Sequence, residues 1–403
     1  MSPLAEVAQL FTKLGFTAFG GPAAHLALME DETVRRRGWL DRQHFLDMVA
    51  AINFIPGPNS TQLAIHLGFL RAGYPGLLVA GVCFIAPAVL IILPLAWLYV
   101  TFGRTPQAQE ALVGINACVV AIVAAALWRF VKTGVKDRFS ACIAIAATPI
   151  GFLADPKVGG WLNRHQSFLA PIAHRLAGGK VDIIILACAA LAGALWYGKP
   201  KMPTALPMLI PLMAMPADAR WIKMALLFFK VGATLFGSGY VLISYLQSGL
   251  VDQYGWMTRK ELLDAIAVGQ FTPGPLLTTA TFIGYFLGHA KFGGGIAGGI
   301  ACGLLATLAI FLPSFVLIAL LGPQLPRIRR NPIARGALNG MNAAVVSLIL
   351  VVCIRLGFAA LTDATTILVA AGTFMALLVW NVNSTWLILA AGVVGMVRTK
   401  IRY

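Results

Sequence analysis

Phe54-Ile55-Pro56-Gly57-Pro58-Asn59-Ser60-Thr61 is a helix-breaking segment set between apolar runs, and the chain carries its core twice. The second copy is Phe271-Thr272-Pro273-Gly274-Pro275, displaced by 271 − 54 = 217 residues. The same displacement carries Lys13-Leu14-Gly15 onto Lys230-Val231-Gly232, Phe19-Gly20-Gly21 onto Phe236-Gly237-Ser238, Gly38-Trp39 onto Gly255-Trp256, and Asp47 onto Asp264. Farther on a short insertion changes it to 313 − 87 = 226, which carries Pro87 onto Pro313 and Gly114-Ile115-Asn116-Ala117 onto Gly340-Met341-Asn342-Ala343. So many landmarks in register imply an internal duplication. It divides the chain into repeats at 1–200 and 221–403 with a linker at 201–220.

Around these breaks the sequence is apolar. Of 403 residues, 59% are hydrophobic and 11% are charged, against about 25% charged in a soluble domain. The runs Pro75 to Val100, Ala108 to Trp128, Ile296 to Leu321 and Ala334 to Val352 reach the ~20 residues that a spanning helix needs. None alternates like a barrel strand. The expected fold is an all-α, multi-pass integral membrane protein, with the lipid bilayer as its solvent. The first apolar stretch contains Lys13 and follows no basic segment, so it does not read as a cleaved signal peptide.

The net charge is +16. The basic residues cluster between apolar runs, at Arg35 to Arg37, at Lys132, Lys136 and Arg138, and at Arg327, Arg329 and Arg330. That is the pattern of cytoplasmic loops, not of a nucleic-acid-binding domain. The loop at 102–107 has one basic residue, and its counterpart at 322–335 has four. The next pair reverses the bias, four at 129–138 against one at 355–363. Opposite biases in matching loops imply inverted repeats. The C-terminal Arg398, Lys400 and Arg402 fit this scheme poorly.

Glycine and proline at Phe19-Gly20-Gly21-Pro22, Phe236-Gly237-Ser238-Gly239 and both Pro-Gly-Pro segments would end one half-helix and start another. Pro58 is placed by this reading in the first turn of the new half-helix. A half-helix N-terminus offers free N–H groups and the positive end of a dipole, which together suit an anion. Asn59, Ser60, Thr61 and Gln62 would add polar groups in the first copy, and Thr278 and Thr279 in the second. The substrate-binding candidates are therefore Gly20, Gly21, Pro56, Gly57, Pro58, Asn59, Ser60, Thr61, Gly237, Pro273, Gly274, Pro275, Thr278 and Thr279. A single break would read as a packing kink; two matched ones favour a substrate or gating role.

Lys13 and Lys230 join the candidates as cations that a bound dianion would compensate, with snorkelling to a headgroup as the alternative. Asn116 and Asn342 are matched polar residues in apolar helices, suited to substrate contact or to interhelical hydrogen bonding. Asp47 and Asp264 match, whereas Glu30 aligns with Gln247, and His25 and His66 have no matched partners. The glycine run from Gly293 to Gly303 suits close helix packing, within the chain or across a homodimer. The six cysteines lack paired spacing. No nucleotide, zinc-protease or nucleophile motif is present, so neither an enzyme nor a bound cofactor or metal is expected.

At these motifs the chain resembles the chromate ion transporter family, in its long two-domain form. The resemblance rests on Lys13-Leu14-Gly15 with Phe19-Gly20-Gly21-Pro22, Trp39 and Pro56-Gly57-Pro58, and on their second copies with Trp256. The second copy departs from Gly-Gly-Pro. The resemblance implies proton-motive-force-linked chromate efflux from a bacterial inner membrane, with resistance to chromate, and sulfate as the look-alike substrate. Sulfate-type uptake and a passive anion channel are the alternatives. Moving a dianion outward from a negative cell gains about 2 × 2.3 kcal/mol per 100 mV. No duplicated acidic cluster stands ready to carry cations inward, and this favours export.

Overall fold

The computed structural model describes residues 1–19, 21–153, 181–197, 220–237, 239–324, 331–380 and 382–401. Gly20, Ser238, residues 201–219 of the expected linker, and Arg327, Arg329 and Arg330 lie outside them. All regular structure among the described residues is helical. The four long apolar runs become parts of α4 (Asn59–Phe102), α5 (Pro106–Gly134), α12 (Gly295–Leu321) and α13 (Pro332–Ala360), each apolar and long enough to cross a membrane. The chain is a multi-pass membrane protein. Matched caps start α5 and α13, since 106 + 226 = 332. Thr105 accepts from the Ala108 N–H and Asn331 from the Ile333 N–H, with proline at the first helical position of each.

Shorter helices pair into hairpins. Helix α1 (Pro3–Thr17) is followed by α2 (Pro22–Glu30), which continues as wider turns over Asp31–Arg36. The return is antiparallel: Lys13 Nζ lies 2.6 Å from Glu32, and Trp39 Nε1 donates to Glu6 at 3.0 Å. Helix α3 (Arg42–Ile52) turns at 53–58 into the first limb of α4. Arg71, ending that limb, donates to Glu6 at 2.7 Å, and Arg42, starting α3, donates to Glu30 at 3.1 Å. Both hairpins therefore open at one end of the bundle. Helix α4 breaks at Ala72 and Gly73 and folds back, with Gly68 against the Gly76 carbonyl.

The second half repeats this. Helix α8 (Arg220–Thr234) pairs with α9 (Val241–Leu246) and its continuation Gln247–Gln253. Helix α10 (Arg259–Phe271) pairs with α11 (Thr279–Phe286) and its continuation Leu287–Lys291. Lys291 reaches Glu261 at 3.2 Å across the open end. The cores correspond as well: Leu10, Phe11 and Leu14 are buried in one, and Leu227, Phe228 and Val231 in the other. Lipid gives little hydrophobic drive between helices, so close approach at small residues does the joining. Gly114 of α5 packs on the Ala391 carbonyl of α15 (Ser384–Ile401), as its counterpart Gly340 packs on the Ala189 carbonyl of α7 (Val181–Tyr197). Likewise α5 packs on α14 (Ala364–Val379) and α13 on α6 (Arg138–Leu153), while α5 and α13 meet each other.

The long limb of α4, residues 74–102, is about 43 Å of helix and fixes the relative direction of the halves. It starts at the open end of the first-half hairpins. It ends beside the second-half hairpins, where Tyr99 Oη donates to Asp264 at 2.7 Å and the Tyr99 ring lies 5.9 Å from Phe286. The two pairs of hairpins thus open at opposite ends of the bundle, and the repeats are inverted. Arg398 is ion-paired with Asp363, so its charge is met locally, which accounts for one basic residue that broke the loop-charge pattern.

Candidate functional site

Hairpin tips from opposite ends meet in the middle. The Gly57 N–H donates to the Leu235 carbonyl at 2.6 Å, and the Gly274 N–H donates to the Ala18 carbonyl at 2.9 Å. Since 18 + 217 = 235 and 57 + 217 = 274, this is one bond made twice, as a two-fold relation between the halves requires. His25 Nε2 lies 3.0 Å from the same Ala18 oxygen. Gly57 and Gly274 have φ of 134° and 91°, conformations that glycine alone adopts without strain.

The two Pro-Gly-Pro tips then diverge in chemistry. Pro58 is the residue before the first turn of α4, one position earlier than the sequence reading put it, and its carbonyl accepts from the Gln62 N–H at 2.9 Å. No side chain caps this helix, and Pro58, Ser60 and Thr61 are buried. The N–H groups of the first turn precede the helical ladder. Thr61 Oγ1 and Ser314 Oγ, on fully buried residues, have no partner among the described residues. Ser314 comes from α12, and its Oγ lies 2.5 Å from where a Cβ on Gly57 would sit. Asn59 Nδ2 donates to Asn53 at 2.6 Å and Gln62 Nε2 to the Pro56 carbonyl at 2.7 Å, so these amides brace the tip. Beside Gln62 Oε1, unpartnered among the described residues, the tip keeps free N–H and O–H donors at the positive end of a helix, which suit an anion.

At the second tip, Pro273-Gly274-Pro275 leads into a short turn, Leu276–Thr278. The hydroxyls of Thr278 and Thr279 donate to the carbonyls of Pro275 and Leu276 at 2.6 and 2.8 Å. Leucines stand where the first copy has Asn59 and Ser60, and Ala88 stands opposite Gly274, where Ser314 stands opposite Gly57. Unpartnered hydroxyls from both repeats, Thr61 and Ser314, therefore stand at the first-half tip, whereas the matched threonines of the second tip are bonded. The sequence treated both copies alike and passed over Ser314. Its signal was present: a hydroxyl one residue after the matched Pro313, at the position of Ala88.

The remaining candidates take separate places. Asn342 lies beside the Gly237 tip, its Oδ1 3.3 Å from a Cβ built there, and the Phe130 ring is also near, at 3.1 Å. Asn116 donates to Asp264 of α10 at 2.7 Å. Lys230 lies within electrostatic reach of the buried Asp182, which also accepts from Ser244 at 3.2 Å. Gly21 begins the α2 side of the first tip. Lys13 is ion-paired with Glu32, and its side chain is 53% exposed. This pairing gives an expected result for Lys13→Met and Glu32→Gln. Each should change thermal stability in detergent by about 1 kcal/mol or less, and the double variant should match Glu32→Gln, which also loses the Arg37 contact at 3.4 Å. A rise in the KM for oxyanion with Lys13→Met alone would place the ammonium in the substrate path instead. Among the described residues, no group of His, Cys, Asp and Glu is placed to hold a metal ion.

Inverted hairpins with a buried anion-suited tip agree with the comparison against protein families, in which the chromate transporter profile matches residues 5–216 and 222–396. The chain belongs to the chromate transporter family. The profile matches it twice, once per half. A chromate transport protein of Cupriavidus metallidurans is 30% identical over 400 residues, 98% of this chain and 93% of its own length. A probable chromate transport protein of Synechococcus elongatus is 28% identical over 375 residues, 91% and 88% of the two chains. An uncharacterized transporter of Bacillus subtilis is 29% identical over 163 residues, which is 88% of its length but 40% of this chain. It therefore corresponds to a single repeat of this chromate transporter. No solved structure matches the chain.

Proposed function

We propose that this chain exports chromate, a tetrahedral dianion, across a bacterial inner membrane, driven by the proton motive force and giving resistance to chromate. The observation that carries the reading is the uncapped, buried N-terminus of α4 with the unpartnered Thr61 and Ser314 hydroxyls beside it. Chromate oxygens accept hydrogen bonds, and this tip supplies donors. Relatives of nearly full-length match are named for chromate transport, which supports the choice of anion. Arg35, Arg36, Arg37, Lys132, Lys136 and Arg138 lie toward the end where the first-half hairpins open. By the positive-inside rule that end faces the cytoplasm. The donor-rich tip is then the one whose hairpins open inward, toward the anion to be expelled.

The membrane potential alone favours outward movement of a dianion by about 4.6 kcal/mol per 100 mV. The test is transport in proteoliposomes under an imposed potential, with chromate, sulfate and molybdate compared. The expected result is electrogenic chromate movement toward the positive side, at a higher kcat/KM than for sulfate. Sulfate movement toward the negative side, dependent on a cation gradient, would replace export by uptake.

A further inference from the structure

The two halves have matched sequences but unequal packing. In the second half α10 packs on α4, α5, α11, α13 and α15, whereas the main neighbour of its counterpart α3, among the described residues, is α4. Leu263 on α10 is 1% exposed, and Leu46, its counterpart on α3, is 44% exposed. The difference centres on a polar latch. Asp264 of α10 accepts from Asn116 of α5 at 2.7 Å and from Tyr99 at 2.7 Å. The chain carries the mirror-image partners, because Asp47 matches Asp264 and Asn342 matches Asn116. They are not joined here. Asp47 accepts from Gln43 of its own helix at 3.3 Å, as one of its contacts, and Asn342 borders the Gly237 tip.

Two inverted repeats of one sequence can exchange conformations, each half taking the arrangement the other now has. We infer that Asp47 and Asn342 are positioning residues which close, in the exchanged state, the latch that Asp264 and Asn116 close here. One latch is shut at a time, and the tips face alternate sides. In the present state α10 is held by its latch, while Leu46 on the matched helix α3 faces outward. The latches are unequal: Tyr99 corresponds to Leu325, since 99 + 226 = 325. The exchanged latch therefore lacks the phenol, and the present state is the preferred one. This inference rests on the transport reading above for its purpose, but on geometry and the repeat for its content.

The experiment uses the full chain in lipid vesicles, with Cys83, Cys118, Cys142, Cys188, Cys302 and Cys353 replaced by serine or alanine. Asn116→Cys with Asp264→Cys forms one pair, and Asp47→Cys with Asn342→Cys forms the other. Each pair is expected to cross-link under mild oxidation, to stop transport when linked, and to release it on reduction. With all four cysteines present, linking the first pair should suppress linking of the second at least tenfold. Spin labels on the second pair give a readout independent of disulfide chemistry: two distances are expected. Tyr99→Phe should raise the short-distance population several-fold. A single long distance with and without chromate, or both links forming in one molecule, would overturn the latch exchange. If no oxyanion moves yet the links stay mutually exclusive, the exchange stands and the chromate reading falls.

Discussion

Gly57→Val is expected to abolish oxyanion transport while leaving the protein in the membrane. The φ of 134° at Gly57 is strained for any L-residue and more so for a β-branched one. A Cβ there would lie 2.5 Å from both Ser314 Oγ and Gln62 Nε2. Both are side-chain ends, so the fold can yield locally. The yielding groups, however, are one donor of the proposed anion site and the brace that holds its tip. Losing one charge-assisted hydrogen bond costs about 1.5–3 kcal/mol and the displaced neutral brace about 0.5–1.5 kcal/mol more, so the initial rate at low substrate should fall by on the order of a hundredfold. Gly274→Val should also impair transport, since its Cβ would lie 3.0 Å from Ala88 Cβ, but with a smaller rise in KM because no free donor is displaced. Proteoliposome flux, normalised to protein resistant to carbonate extraction, measures both. Wild-type flux by Gly57→Val would reduce the tip to a structural kink.

Thr61→Val combined with Ser314→Ala is expected to raise the KM for chromate by about a hundredfold with little change in thermal stability. Each hydroxyl is buried without a partner, so removing it breaks no bond of the empty protein. Each would donate to a charged ligand, a bond worth about 1.5–3 kcal/mol. Thr278→Val is the contrasting variant, because that hydroxyl already donates to the Pro275 carbonyl at 2.6 Å. It should leave KM within about threefold of wild type, as expected for a local bond away from the ligand. Ser60→Ala should fall between, as one donor among several. An equal rise from Thr61→Val and Thr278→Val would mean that the anion uses both tips.

The duplication, the helical class and the breaks were legible because glycine and proline act locally. Pro56-Gly57-Pro58 stops a helix wherever it stands, and its copy does the same. Inversion was legible through the exchanged loop charges. What stayed hidden depends on residues far apart in sequence. Nothing near Thr61 announces that Ser314 will border Gly57, or that Thr278 will spend its hydroxyl on Pro275. Lys13 looked like a cation in need of an anion, and its partner, Glu32, lay 19 residues on across a hairpin the sequence did not reveal. Asn116 left substrate contact and interhelical bonding both open, and the acceptor it bonds, Asp264, belongs to the other repeat.

The crossed bonds from Gly57 to Leu235 and from Gly274 to Ala18 bear on why the two repeats share one chain. A repeat made alone would bury at its tip the Gly57 or the Gly274 N–H with no mate, which costs several kcal/mol in a medium without water. Each repeat is thus a subunit of an obligate dimer. Covalent fusion holds the second subunit at an effective concentration on the order of millimolar. Assembly of the central site is then independent of how many copies the cell makes, and a protein present at a few molecules per membrane can still be complete.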